Sequence, residues 1–410
     1  GHEHKLTERS STLITASLSL GLMFGQLAIM AVPALTMDLA ALWQLDGSRI
    51  GWLGGIYFIG YAVALPFLTG AANRMDGRIV YGVAAVISAV ASFSMAQFAD
   101  GFWWALALRF IAGFGFAGIH IIGMKLLADR LSGPSQARGS AFYTGAFAIG
   151  SGCSFLVAGI LSTALGWEAA FVGAGIGSLL SLPTLLLIGP AVAGNEIRSG
   201  RLFPDYRPAL RDAEVIRYIA AYAGNLWEVF AIRVWFVPFL AFNAGWQQDA
   251  VPNWDPATIA GLSVLIAVPI NLAIAELAQR WGRRAVIFWV SLASVIVCLL
   301  LGWQASSPYL FVLAALLVHG VTSYGDVGAI SAGFIGASTP QTRAAALALF
   351  GLIGFTAGFL GPLAVGLAID GGGGRGEPVA WFWAFAVMAL GSVVSGAAMA
   401  WKPRPRYGCG

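Results

Sequence analysis

The sequence predicts an all-α polytopic membrane protein with twelve spanning helices in two pseudo-symmetric six-helix bundles. Three observations carry this prediction: an apolar composition with little charge, apolar blocks long enough to cross a bilayer, and basic residues concentrated in every second loop.

Of 410 residues, 58% are hydrophobic and 10% charged, where a soluble domain carries about 25% charged residues. So few charges cannot cover a water-facing surface. The apolar residues come in blocks of about 20, long enough as helices to cross a hydrocarbon core of about 30 Å. The blocks lack the period-two alternation of an outer-membrane barrel. Helices are then the remaining way to satisfy every backbone group in lipid. The formal net charge of +4 is not a nucleic-acid signal, because the basic residues sit in short loops. Cys153, Cys298 and Cys409 are scattered, with no disulfide framework or CxxC spacing. Neither a cofactor nor a resident metal is expected.

The first apolar block, from about Ser11 to Leu35, is too long for a signal-peptide core and has no clear cleavage site. It reads as helix one, over 11–36. Helices two to six follow at 49–70, 79–98, 101–127, 137–163 and 167–188. Helices seven to twelve are expected at 214–241, 256–277, 285–304, 308–334, 342–369 and 379–401. The longest polar stretch, Gly194 to Glu214, carries Arg198, Arg201, Arg207 and Arg211. It divides the chain into a first half (1–190), a central loop (191–213) and a second half (214–410).

Positive charge orients the spans. One set of loops holds Lys5, Arg9, Arg74, Arg78, Arg130, Arg138, the central arginines, Arg280, Arg283, Arg284, Arg343, Lys402, Arg404 and Arg406. The opposite set has Arg49 and Arg375 beside Asp38, Asp46, Asp100, Asp249, Asp255 and Asp370. Both termini are therefore expected in the cytoplasm, and the protein in the inner membrane.

The halves read as repeats. Arg138 opens helix five and Arg343 opens helix eleven. Gly166-Trp167 leads to Phe171 in helix six, and Ala380-Trp381 leads to Phe385 in helix twelve. Pro33 is expected to end the outer part of helix one, and Pro238 that of helix seven. Six-span repeats of this kind are a transporter signature.

Several motifs resemble the major facilitator superfamily. The loop after helix eight, Ala275-Glu276-Leu277-Ala278-Gln279-Arg280-Trp281-Gly282-Arg283-Arg284, is similar to the family's G-x-x-A-D-R-x-G-R-R. Alanine replaces the first glycine and Gln279 the acid. The loop after helix two, Thr69-Gly70-Ala71-Ala72-Asn73-Arg74-Met75-Asp76-Gly77-Arg78, is a looser match with Asn73 in place of the acid. In helix four, Arg109-Phe110-Ile111-Ala112-Gly113-Phe114-Gly115-Phe116-Ala117 resembles R-x-x-x-G-x-G-x-A. Helix five lacks the Gly-Pro element of family antiporters; a related run, Gly354 to Pro362, lies in helix eleven instead. The resemblance implies that Arg74, Arg78, Arg280, Gly282, Arg283 and Arg284 form loops that act in conformational change. It also implies that helices one, four, seven and ten line a central cavity.

The ionisable residues read as deep in spans are Arg109 and His120, Glu228 and Arg233, His319 and Asp326. All lie in helices four, seven and ten. A charge at mid-bilayer costs about 2.5–3.5 kcal/mol on insertion scales, so each is expected to face a cavity or a partner. Two arginines and two acids suggest pairs that form and break. Arg109 and His120 are eleven residues apart, about 20° out of register, and are expected to share a face. Glu228 and Arg233 are five apart, about 140° around the helix. Asn225, Glu228 and Trp235 form a stripe, which points Glu228 at the cavity and Arg233 at a neighbouring helix. Substrate contacts are expected from Gln26, Tyr57, Arg109, His120, Asn225 and Arg233, and proton coupling from Glu228, His319 and Asp326. Structural roles for Arg109, His120, His319 and Tyr57 carry comparable weight. A metal site built from His120, Glu228, His319 and Asp326 is a minor alternative.

These features point to a monomeric secondary transporter of a small polar, anionic organic solute, working by alternating access and proton symport. An exporter of amphipathic compounds is the alternative within transport, and a non-transporting membrane sensor on the same fold is the alternative outside it. No Gly-x-Ser-x-Gly, His-Glu-x-x-His or phosphate-loop motif supports an enzyme.

Overall fold

The computed structural model describes residues 2–190, 203–339 and 342–402, with side chains from Ser10 onward. The side chains of Lys5 and Arg9, and the residues Arg198, Arg201, Arg404, Arg406 and Cys409, lie outside the described residues. Among the described residues all regular structure is helical.

Eleven helices among the described residues are long and apolar enough to cross a membrane. Helices two to six are Gly47–Ala72, Gly77–Phe98, Phe102–Ala128, Gly133–Leu165 and Trp167–Leu187. Helices seven to twelve are Ala213–Trp246, Pro256–Trp281, Arg283–Trp303, Tyr309–Ala337, Arg343–Gly371 and Pro378–Ala400. The twelfth span is helix one, which is discontinuous. It runs His2–Gly25, unwinds, and resumes as Ala31–Ala34 and Thr36–Trp43. The helical path therefore passes Pro33, and helix seven likewise passes Pro238 to end at Trp246. The expected stops at these prolines do not hold, because neighbouring groups inside a membrane protein re-satisfy the backbone a proline frees.

Two further members of the cavity set are irregular. Helix four contains a π-turn over Gly118–Ile122, around His120. Helix ten is split at Gly325 and Asp326, between Tyr309–Tyr324 and Val327–Ala337. Several acids read as loop charges begin helices instead. Asp46, Asp76, Asp212 and Asp255 each accept a backbone N–H from the first turn that follows, the usual work of an N-cap side chain.

The repeated tryptophans occupy equivalent places. Trp167 meets Trp43 of helix one edge-on at 5.6 Å, and Trp381 meets Trp235 of helix seven edge-on at 6.0 Å. The halves meet along helices two and eleven. Their backbones approach so closely that a Cβ on Gly51 would lie 2.6 Å from the Pro362 carbonyl oxygen, and one on Gly366 2.2 Å from that of Gly47. At the start of helix two, Asp370 accepts hydrogen bonds from Gly47 N (2.8 Å), Ser48 N (2.7 Å) and Ser48 Oγ (2.5 Å). The two halves are thus tied together at the end where helix two begins and helix eleven ends.

Candidate functional site

Between the halves lies a small cavity of about 30 Å³. Its wall combines Phe155 of helix five, Arg233 and Phe236 of helix seven, Ser263 of helix eight, and Ser323 and Tyr324 of helix ten. Arg233 is the charged residue of this wall. Its guanidinium rests over the rings of Tyr324 (5.3 Å) and Phe230 (5.9 Å). It makes no hydrogen bond or ion pair among the described residues. A guanidinium carries five N–H donors, so here they remain free for an anion.

The expected orientation of helix seven is therefore reversed. Arg233 faces the cavity, whereas Glu228 turns into the second half and is fully buried. The physical reason is the partner set on the inner side. Ser294 Oγ donates to Glu228 Oε1 at 2.5 Å, and Ser392 Oγ donates to Oε2. His319 Nε2 lies 2.8 Å and Cys298 Sγ 3.2 Å from Oε1. Those groups compensate a buried carboxylate, which an apolar cavity wall does not.

Asp326 stands at the break in helix ten. Its Oδ1 accepts from Asn225 Nδ2 at 2.8 Å, and its Oδ2 accepts from Ser291 Oγ at 3.3 Å. The same Asn225 amide also donates to the Ser323 carbonyl at 2.8 Å. Asn225 thus bridges the cavity wall and the buried acid. The expected arginine–carboxylate pairs across the cavity do not form. Arg233 meets only aromatic rings, Asp326 meets Asn225 and Ser291, and Glu228–His319 is the one acid–base pair among the six.

In the first half, Arg109 does not reach the cavity. Its Nη1 donates to the Ala28 carbonyl at 2.6 Å and its Nη2 to that of Ile29 at 3.3 Å. These carbonyls lie where helix one unwinds. The guanidinium also lies 4.4 Å from the centre of the Tyr57 ring. Gln26 and Tyr57, both fully buried, belong to the same assembly. Gln26 Nε2 donates to the Phe147 carbonyl (2.8 Å) and to Ser151 Oγ (3.1 Å) of helix five. Ser154 Oγ accepts from Met30 N and donates to the Leu27 carbonyl. The expected cavity contacts of Arg109, Gln26 and Tyr57 are corrected accordingly: Arg109 serves the broken backbone, Gln26 bonds helix five, and Tyr57 packs its ring against the Arg109 guanidinium. His120 is half-buried. Its Nδ1 lies 2.8 Å from Tyr61 Oη, and its ring stacks on Phe147 at 4.5 Å.

The loops make mostly local contacts. Arg78 pairs with Asp76 at 2.8 Å and Arg280 with Glu276 at 3.3 Å. Gly282 takes a φ of 96°, which glycine adopts without strain. Arg284 donates to the carbonyls of Met399 and Trp401. Arg74 is exposed and Arg283 half-buried. Asp76, three residues beyond Asn73, supplies the first loop with a carboxylate.

Cys298 and its neighbours were not singled out from sequence. Ser291, Ser294 and Cys298 recur at i, i+3 and i+7, a polar stripe on an otherwise apolar helix, which is the signal that marks them.

The sequence model of the Major Facilitator Superfamily matches residues 15–257. A niacin transporter of Acinetobacter baylyi is 24% identical over 305 residues, covering 65% of this chain and 67% of its own. A gentisate transporter of Corynebacterium glutamicum is 24% identical over 307 residues, covering 70% and 65%. The chain thus aligns with about two thirds of each relative's length. Among solved structures, a bacterial homologue of the human lysosomal transporter Spinster, inward-facing and unoccupied, superimposes with a TM-score of 0.76 at 15% identity. That match covers 95% of this chain and 96% of the other, and it shows the shared fold.

Proposed function

Because the chain belongs to the Major Facilitator Superfamily, we propose that it carries a small organic anion across the inner membrane by alternating access, with Arg233 as the anion-binding group. Arg233 carries this reading: it is a cavity-wall cation whose N–H donors have no partner among the described residues. The flanking rings of Phe155, Phe236 and Tyr324 suit a planar substrate. The two relatives are named for niacin and gentisate, both aromatic carboxylates, and this favours the same substrate class here.

In this reading the halves 1–190 and 214–410 rock about the loop 191–213, with both termini cytoplasmic. The Asp370 contacts then close the outer end, and the cavity opens inward. Proton symport falls to Asp326, which is linked through Asn225 to the cavity wall. Glu228 and His319 are sealed within the second half, and Gln26, Tyr57, Arg109 and His120 shape the first.

The test is uptake of radiolabelled aromatic carboxylates into proteoliposomes carrying wild-type protein or Arg233→Gln. Hydrogen bonds to charged groups are worth about 1.5–3 kcal/mol, so apparent affinity should fall about ten- to hundredfold. Wild-type affinity in the variant would remove Arg233 from the site. Failure of every carboxylate to be transported would remove the substrate class.

A further inference from the structure

We propose that Glu228, Cys298 and His319 form a binding site for a soft divalent cation of the zinc type, inside the second half and separate from the transport cavity. Three donor atoms of three kinds converge there from helices seven, nine and ten. Glu228 Oε1 lies 2.8 Å from His319 Nε2 and 3.2 Å from Cys298 Sγ, and Sγ lies 3.0 Å from Nε2. All three side chains are fully buried, and none of them lines the cavity.

Thiolate sulfur, imidazole nitrogen and carboxylate oxygen are the donors that zinc takes, at about 2.0–2.3 Å in tetrahedral array. Ligand atoms around such an ion stand roughly 3.3–3.7 Å apart. The present triangle therefore needs to widen by only about half an ångström. A supporting layer is already built. Ser294 Oγ donates to Oε1 at 2.5 Å and Ser392 Oγ donates to Oε2, so both carboxylate oxygens are oriented. Outer contacts of this kind fix a ligand and tune the metal. His319 Nδ1 has no partner among the described residues, so the ring's polar anchor is Nε2, the atom a metal would take.

Charge balance selects a divalent ion. With the ion bound, a carboxylate, a neutral imidazole, a thiolate and a divalent cation sum to zero, the thiol proton leaving as the cation enters. A buried site with unbalanced charge is costly, and this exchange creates none. Three protein ligands leave the fourth tetrahedral position to a water or to the second carboxylate oxygen; bound in this way, the ion would staple helix seven to helices nine and ten, with helix twelve held through Ser392.

The experiment titrates metal-stripped, detergent-solubilised protein with Co²⁺. The expected result is a near-ultraviolet thiolate-to-cobalt absorption band saturating at one Co²⁺ per chain. Cys298→Ser should abolish the band, and His319→Gln should weaken binding at least tenfold. Cys153→Ser and Arg233→Gln should leave it intact, the latter separating this site from the anion site. Zn²⁺ should displace Co²⁺ and raise the wild-type Tm. Absence of the band at saturating Co²⁺, or its persistence in Cys298→Ser, would overturn the proposal.

Discussion

Arg109 of helix four donates a hydrogen bond to the backbone carbonyl of Ala28 at 2.6 Å, at the point where helix one loses its own ladder. A break in a spanning helix strands carbonyls in a medium without water. Arg109 supplies a donor for the Ile29 carbonyl and a second one for that of Ala28, which also accepts from Ala31 N at 3.3 Å, while Ser154 serves Leu27. The costly intramembrane arginine and the costly break therefore offset one another.

Arg109→Gln should lower thermal stability in detergent. At about 1.5–3 kcal/mol for hydrogen bonds to a charged donor, the loss is large for one side chain. Arg109→Lys should recover part of it, since one ammonium reaches one carbonyl. Melting curves of the three proteins decide this. An unchanged Tm in Arg109→Gln would mean that the clasp contributes nothing.

Asp370 ties the two halves together by accepting three hydrogen bonds at the start of helix two, where a carboxylate is also favoured by the helix dipole. Asp370→Ala should shift the population toward the state opened at that end. A Phe359→Cys reporter, on the buried helix two–helix eleven interface, should then react several times faster with a membrane-impermeant thiol reagent. Equal labelling rates would show that other contacts keep this end shut.

Asp326→Asn should abolish substrate accumulation driven by a pH gradient while leaving the protein folded and able to exchange substrate down its gradient. The amide keeps an acceptor for Asn225 but cannot release a proton. Counterflow and pH-driven uptake, measured on the same vesicles, separate the two steps. Normal accumulation would exclude Asp326 as the coupling acid.

Asp76 lies outside the spans, where its hydrogen bond from the Arg78 side chain holds its carboxyl below the ordinary carboxylate range. A depressed carboxyl stabilises the fold above the unfolded value of about 3.9. That contribution is lost as pH falls through the lower folded value. Wild-type Tm should thus drop below about pH 4 more steeply than that of Asp76→Asn. Removing the cap with Asp76→Ala should lower Tm even at pH 7, by the equivalent of about 1 kcal/mol. Superimposable Tm–pH curves for wild type and Asp76→Asn would refute the linkage.

Much of the architecture was legible because its causes are local. Apolar block length placed helices two to twelve to within about five residues, whereas helix one continues past the expected end to Trp43, and the matched Trp167 and Trp381 announced the repeat. The site was less legible. Glu228 and Arg233 were known to point about 140° apart on a regular helix, but the polar stripe with Asn225 and Trp235 pointed the wrong one, Glu228, at the cavity. The orientation was settled by Ser294, Cys298, His319 and Ser392, which lie 66–164 residues further along the chain.

The break in helix one shows the same division. Local signals flank the break: Gly25 ends the first segment, and Pro33 lacks the N–H that would bond the Ile29 carbonyl. The break persists because Arg109, Ser151 and Ser154, distant in sequence, complete its hydrogen bonding. Composition, block length and the placement of basic residues determined by themselves that this chain is a twelve-span membrane protein of repeated design. Tertiary structure alone decided which buried charge meets solvent and which meets a partner. In a medium without water, the free energy of a polar group depends on the few atoms within hydrogen-bonding reach, and here those atoms come from other helices.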